Sequence, residues 1–238
     1  MRLLVVSVII AFHCLLGTSM NYDRIYQYRF QQISHEKKKV IWSIIAHYFY
    51  DLLDKPKRIL DSAGGMCEFI NAVPSEERWT VDIVDAIRKF AAPEVKLIIG
   101  DVLTVDLPKN YFDAVFISNF LEHLRSQEEV AFFLERMYGC LKPGGKIGII
   151  GPNFKYCYRE YFDFADHTVV LSELGVAEHL YGAGFTIEKS YSRFLPLSFR
   201  GGLPIHPTLV KLYMHMPFVW KILGKQFLFI ARKPSSDQ

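Results

Sequence analysis

Apolar runs and polar breaks alternate along most of the chain, and this alternation predicts strands separated by helices. Apolar residues at helical intervals predict helices over 34–54, 126–141 and 172–181. Seven short apolar runs, each ending at a polar or small residue, predict strands at 57–62, 78–83, 96–101, 112–118, 146–151, 185–192 and 226–232. Strands and helices in this order form βαβ units, so the pattern predicts an α/β fold with a doubly wound parallel sheet covered on both faces.

The turn after the first predicted strand consists of small residues and leads into a helix. It reads Asp61-Ser62-Ala63-Gly64-Gly65, and the missing side chains leave room for a ligand to approach the backbone. Asp82 ends the second predicted strand, 21 positions after Asp61. In a doubly wound sheet, this position places a carboxylate beside the ribose of a bound nucleotide. A Gly-Gly turn alone is structural more often than not, so its interpretation depends on the surrounding charges.

Carboxylates surround this turn. Asp61, Asp82 and Asp101 end the first three predicted strands, and Glu68 opens the helix. Dinucleotide-binding folds point a helix N-terminus at a pyrophosphate, and four carboxylates would repel that anion. They suit a ligand with a cationic centre and a ribose diol, such as S-adenosylmethionine (SAM). An NAD-dependent oxidoreductase is the disfavoured alternative, because the glycine spacing also differs from the dinucleotide pattern.

Composition limits the other partners. A length of 238 residues, half of them hydrophobic, favours one domain with its own core. The net charge is only +3 and the basic residues are dispersed, so we expect no nucleic-acid partner. The four cysteines form no CxxC pair and no histidines are paired at ligand intervals, so we expect no metal site. The same cysteine usage favours a reducing, cytoplasmic location.

The first 19 residues differ from the rest of the chain. Leu3 to Leu16 is almost wholly apolar behind Arg2, but the run is too short to span a bilayer, which takes about 20 residues. It is either a signal-like segment or a dispensable extension before Met20. We therefore assign 1–19 to an N-terminal segment and 20–238 to the domain.

Three further motifs follow in order: Phe112-Asp113-Ala114-Val115-Phe116, Leu121-Glu122-His123-Leu124 and Leu141-Lys142-Pro143-Gly144-Gly145. Together they resemble the class I SAM-dependent methyltransferases, in particular the small-molecule branch with LEHL and LKPGG segments. The resemblance covers about residues 57 to 152 and is weaker beyond them. It implies a seven-stranded Rossmann-like sheet, mostly parallel, whose last strand runs antiparallel. It also implies SAM as the cofactor and a small-molecule acceptor.

The resemblance implies a role for each residue that matches the family's pattern. The first-strand acid and its turn face the methionine part of SAM, the next acids border ribose and adenine, and the end of the fourth strand lies beside the reacting methyl group. These positions are, in order, Asp61, Ala63, Gly64 and Gly65; Asp82 and Ile83; Asp101 and Val102; and Ser118 and Asn119. The family's turn carries three glycines, whereas Ala63 and Cys67 replace the first and third here. This departure leaves a non-catalytic binding module as an alternative.

His123 and His167 are the candidate catalytic residues, because they follow the fourth and fifth strands. A base is needed only if the acceptor loses a proton, as a hydroxyl does, and an oxygen acceptor is slightly favoured. For His123 the alternative is a structural histidine bonded to a backbone group. The insertion 194–225 is rich in proline and aromatic residues and is interpreted as a lid over a partly apolar or lipid-linked acceptor. A membrane-surface face is a weaker interpretation of the same insertion.

Overall fold

The computed structural model describes residues 24, 25, 28, 35–197 and 206–235. The chain divides into two compact units, 1–33 and 34–238, and the second contains all the elements below. Both interpretations of residues 1–19 lie outside the described residues and stay predictions. Within the described residues, no helix combines the length and the hydrophobicity needed to cross a bilayer.

One seven-stranded sheet organises the domain, with the strand order β3-β2-β1-β4-β5-β7-β6. Strands β1 to β5 pair in parallel, whereas β7 is antiparallel to both β5 and β6. This confirms the mostly parallel Rossmann-like sheet with an antiparallel last strand. The strands are β1 Arg58–Asp61, β2 Glu77–Asp82, β3 Val95–Ile99, β4 Phe112–Ser118, β5 Leu141–Pro152, β6 Thr186–Tyr191 and β7 Gln226–Arg232.

Strand β5 begins earlier than the apolar pattern predicts. Leu141 pairs with Phe112, and the register then shifts so that Ala114 pairs with Lys146. The Lys-Pro-Gly-Gly segment between these pairs forms an irregularity inside the strand. Gly144 adopts the left-handed φ of 79° that this irregularity requires.

Helices cover both faces of the sheet. The predicted helix 126–141 begins at Ser126, whose side chain accepts a hydrogen bond from the backbone N–H of Glu129, as in a capping box. Between β3 and β4 the chain runs through residues 100–111 without a helix, so the alternation is incomplete there. The α-helices are α1 His35–Leu52, α2 Glu68–Ala72, α3 Gln127–Cys140, α4 Phe154–Cys157, α5 Glu173–Gly182, α6 Pro207–Met214 and α7 Pro217–Leu223; short 3-10 helices are Asp85–Lys89, Leu121–His123 and Tyr161–Asp163.

Two apolar clusters, one on each face, hold the sheet between the helices. Phe133 and Met137 of α3 pack with Val115 and Ile147 on one face. On the other face, Phe49 of α1 meets Phe116 of β4, with ring centroids 4.8 Å apart. Burial on both faces explains why the central strands read as continuous apolar runs.

Strand directions decide where the insertion lies. Because β7 is antiparallel to both of its neighbours, β6 runs in the same direction as β5. The connection from β6 to β7 therefore leaves from the edge at which the parallel strands end, the carboxyl edge of the sheet. In open α/β sheets, ligands bind at this edge.

Candidate cofactor and acceptor site

The carboxyl edge brings together the side chains predicted to bind the cofactor. Asp61, Asp82 and Ser118 are the last residues of β1, β2 and β4. Asp101 follows β3 after Gly100. The pairing of β1 with both β2 and β4 places the first three positions on adjacent strands.

The small-residue turn lies directly against β2. The backbone N–H of Gly64 donates to the carbonyl of Val81 at 3.1 Å. A Cβ added at Gly64 would lie 2.1 Å from Thr80 Oγ1, whereas one at Gly65 would meet nothing within 4 Å. Gly65 instead has a left-handed φ of 54°. The turn therefore needs one glycine for space and the other for conformation.

The two departures from the family's glycine pattern have different costs. Ala63 has no left-handed backbone, so alanine causes no strain there. Cys67 is fully buried and has a φ of 58° directly before α2. For a non-glycine residue this conformation costs about 1–2 kcal/mol. At Cys67 the replacement of glycine therefore has a conformational cost.

Asp61 is a buried carboxyl group behind the turn. The pKa of Asp61 is raised to about 7, mainly by burial and to a smaller extent by the neighbouring charges of Asp82 and Glu68, whereas a backbone hydrogen bond from Ala63 opposes the shift. A cationic group placed beside Asp61 would favour the ionised form. The site is thus electrostatically suited to a cationic ligand.

Asp82 connects the end of β2 to the turn. Its Oδ2 accepts a hydrogen bond from the backbone N–H of Gly65 and its Oδ1 one from Val84, both at 2.9 Å. Burial raises the pKa of Asp82, and these two bonds oppose that rise. Ile83 beside it is 65% exposed and offers an apolar surface for a flat ring.

The remaining predicted cofactor positions differ in accessibility. The carboxylate of Asp101 is half-buried and accepts from the backbone N–H of Leu103 at 2.9 Å. Val102 is part of the apolar core. Asn119 has a left-handed φ of 49° and donates from Nδ2 to Ser118 Oγ at 3.0 Å. Its backbone N–H donates to the carbonyl of Ile150 of β5 at 2.9 Å. Ser118 and Asn119 therefore lie where β4 ends beside Ile150 of β5.

Lys38 changes the charge balance that the sequence suggested. This lysine of α1 is buried and its Nζ lies 3.0 Å from Glu68 Oε1. Glu68 is therefore paired within the protein, and its predicted contribution to the acidic surroundings of the ligand is offset. Lys38 shares a helical stripe with the buried Ile41 and Ile45, and a lysine in an apolar stripe is the signal that sequence reasoning missed.

His123 and His167 lie next to each other, although 44 positions separate them in the chain. Their ring centroids are 5.1 Å apart. His123 Nδ1 lies 2.8 Å from the carbonyl oxygen of Asp166, so the backbone bond of the structural alternative is present. His167 is 9% exposed and stacks on Phe164, with ring centroids 4.7 Å apart.

Glu122 completes a cluster with the two histidines. Glu122, His123 and His167 each offer a ligand atom, and these atoms lie within 4.8 Å of one another. The sequence predicted no metal site, because these residues are not at ligand intervals. Their approach depends on the fold, since the loop after β5 must reach the end of β4.

Comparisons with known proteins agree with this geometry. Residues 60–149 match the family model described as "Methyltransferase domain". These residues are a class I SAM-dependent methyltransferase domain. SAM rather than NAD is therefore its cofactor, and the match favours an enzyme over a non-catalytic binding module. No curated protein matches the chain.

Solved methyltransferase structures share the fold over most of the chain. A SAM-dependent methyltransferase from Archaeoglobus fulgidus is 21% identical, with a TM-score of 0.64 over 90% of this chain and 100% of that one. One from Thermotoga maritima, described as a possible histamine N-methyltransferase, has 13% identity and a TM-score of 0.62 over 89% and 96%. A geranyl diphosphate methyltransferase in complex with SAM has 11% identity and a TM-score of 0.60 over 80% and 85%. The acceptors that these names indicate differ, so the shared fold leaves the acceptor open.

Proposed function

We propose that this methyltransferase transfers the methyl group of SAM to an oxygen atom of a small, partly apolar or lipid-linked acceptor. The observation that carries the proposal is the cluster of Glu122, His123 and His167 beyond the end of β4. Methyl transfer from a sulfonium is an in-line displacement in which positioning supplies much of the catalysis. A hydroxyl acceptor also has to lose its proton, and this cluster provides groups suited to that task.

The residues of the turn fit the cofactor half of this reaction. SAM, when bound, supplies a methyl group on a sulfonium centre. Gly64 packs closely against Thr80, and a Cβ at Gly65 would face open space, so the turn leaves its backbone accessible at Gly65. Asp61 would hold the cationic methionine part, and Asp82, with Ile83 beside it, would hold the ribose. Asp101 borders the adenine in the same proposal.

The insertion supports an apolar acceptor. Leu209 and Leu212 of α6 are exposed, as are Phe218 and Ile222 of α7. The insertion lies at the carboxyl edge, where the acceptor has to approach. Residues 189–236 contain no Asp or Glu, so the charged side chains of the insertion itself are basic, although Lys225 pairs with Glu160. A phosphorylated or otherwise anionic lipid-linked acceptor fits this combination, and contact with an anionic membrane surface is the weaker interpretation.

A cytoplasmic location is part of the same proposal. Cys67, Cys140 and Cys157 are free and buried, as expected in a reducing compartment. Burial raises the pKa of the Cys67 and Cys157 thiols to about 12, so neither is a reactive thiolate at neutral pH.

The acceptor atom can be tested with matched pairs of compounds. Purified protein is incubated with SAM labelled on the methyl group and with prenyl or aromatic alcohols, each beside the amine of the same carbon skeleton. We expect label in the alcohols and at least about tenfold less in the amines, because the site provides for proton removal. Methylation of the amines alone would overturn the oxygen assignment without affecting SAM binding.

A further inference from the structure

The cluster after β4 has the composition of a metal site. It combines one carboxylate, Glu122, with two imidazoles, His123 and His167. Glu122 is only 1% exposed, so its carboxyl group approaches the two imidazoles inside the protein, away from solvent. Two nitrogen ligands and one oxygen ligand suit a divalent transition metal such as Zn²⁺.

The tautomer of His123 is held in the form that a metal ligand needs. A carbonyl oxygen only accepts hydrogen bonds, so the 2.8 Å contact with Asp166 O places the proton on His123 Nδ1. The lone pair is then on Nε2, which lies 3.9 Å from Glu122 Oε1. Histidines that bind metals are usually oriented by such a bond from the other ring nitrogen.

The loop that carries His167 is fastened to the residues around His123. The backbone N–H groups of Thr168 and Val169 donate to the carbonyl of Glu122 at 2.8 and 3.1 Å. The hydroxyl of Thr168 donates to the carbonyl of Leu124. These bonds join the two segments in the fold itself, and the three ligand atoms lie within 4.8 Å of one another as a result.

We propose that Glu122, His123 and His167 bind one divalent transition-metal ion, of the Zn²⁺ class, on the acceptor side of the site. Three protein ligands leave at least one coordination position open, as in zinc sites that bind a substrate. This inference rests on the proposed function: the open position takes the hydroxyl oxygen of the acceptor. The metal lowers the pKa of that hydroxyl, as it does for bound water, and the proton leaves to solvent. The oxygen then forms a bond to the methyl carbon as the bond from that carbon to sulfur breaks.

The site can be tested by metal binding alone. The chelator-treated full chain is titrated with Co²⁺, following the visible absorption of the bound ion, and with Zn²⁺ by calorimetry. We expect one ion per chain, and Glu122→Gln, His123→Gln and His167→Gln should each weaken binding by at least about tenfold. His47→Gln and His215→Gln, which change histidines outside the cluster, should leave it unchanged. No saturable binding to the unmodified chain, or equal binding by cluster and control variants, would overturn the site.

Two further measurements distinguish a failure of the metal site from a failure of the proposed acceptor. His123 is more exposed than Glu122, so His123→Gln is the variant that should fold, and unchanged SAM binding verifies this. If the metal binds at the cluster but alcohols are not methylated, the proposed acceptor is wrong and the metal site stands. If alcohols are methylated equally with and without chelator and no ion binds, the acceptor stands and the metal site is wrong.

Discussion

Asp61 is a carboxyl group whose protonation depends on what lies beside it. Its raised pKa of about 7 means that the folded protein without ligand retains a proton that the unfolded chain loses near pH 4. Because the folded state holds this extra proton, the contribution of Asp61 to the free energy of unfolding is largest at low pH and falls as pH rises from about 4 through 7. A cationic ligand reverses the preference, because it stabilises the ionised carboxylate.

We therefore expect SAM binding to release a proton from Asp61 below about pH 7. Calorimetry at pH 6 in buffers of different ionisation enthalpy should detect a release approaching one proton, falling to about half a proton near pH 7 and toward zero above about pH 8. SAM affinity should rise with pH over the same range. Asp61→Asn should remove the release and weaken binding by about tenfold or more, because a charge-assisted contact is lost. The same proton release from Asp61→Asn would assign it to another group.

The sequence predicts the positions of single residues better than it predicts the contacts between them. The acids at strand ends could be located from the sequence, because apolar runs stop at them. The pairing of Lys38 with Glu68 and of His123 with His167 could not, since each joins segments that only the fold brings together. The left-handed backbone of Cys67 also has no sequence signal, because glycine is the residue expected there.

Among the elements, the turn between β1 and α2 has the tightest steric requirement. A Cβ added at Gly64 would lie 2.1 Å from Thr80 Oγ1 and 2.9 Å from Ile87 Cδ1. Gly65, one position later, meets no neighbour but requires a left-handed φ. Packing against β2 therefore requires glycine at position 64, whereas backbone conformation favours glycine at position 65.

We expect Gly64→Ala to lower the free energy of unfolding by about 3 kcal/mol or more, because the added methyl group overlaps β2. Gly65→Ala should lower it by only about 1–2 kcal/mol, the cost of a left-handed alanine. Urea unfolding measures both. Adding Thr80→Ala should partly restore Gly64→Ala, since it removes the closest atom, and Thr80 Oγ1 has no hydrogen-bond partner among the described residues. Equal losses at the two glycines would contradict this steric account.

Most elements could be predicted because their periodicity is strong. All seven strands lie where apolar runs end at polar residues, and the capping residue of α3 is as expected. The early start of β5 was missed, because Lys142 to Gly145 interrupt the apolar run although the strand continues around them. The bulge depends on pairing with β4, which local sequence does not encode.

At the scale of the whole molecule, the insertion between β6 and β7 has two surfaces. Met214 of α6 and Trp220 of α7 are buried in the cluster beneath α1, and Trp220 Nε1 donates to the carbonyl of Tyr213. Phe218 and Ile222 are 63% and 69% exposed. The insertion is thus partly core, and removing all of it would destabilise the domain. Residues 198–205 of the insertion lie outside the described part of the chain.

Substitutions on the exposed surface test the lid more sharply than a deletion. We expect Phe218→Ser with Ile222→Ser to leave SAM affinity unchanged and to lower kcat/KM for an apolar acceptor by at least about tenfold, because apolar contacts with the acceptor are lost. Leu174→Ser with Tyr181→Ser, which changes exposed apolar residues of α5, is the matched control. Steady-state kinetics and SAM calorimetry provide both readouts. If transfer is unchanged, the insertion is not a lid; if SAM binding weakens instead, it supports the cofactor half.

The position of β7 also determines when the domain can assemble during synthesis. This strand is the last in sequence order, yet it lies inside the sheet between β5 and β6, and nearly all its side chains are buried. A nascent chain that lacks it exposes an apolar edge of β5 and leaves β6 without its partner in the sheet. The ribosome therefore has to release residues 226–232 before the sheet can close, and until then the unpaired strand edges are open to aggregation.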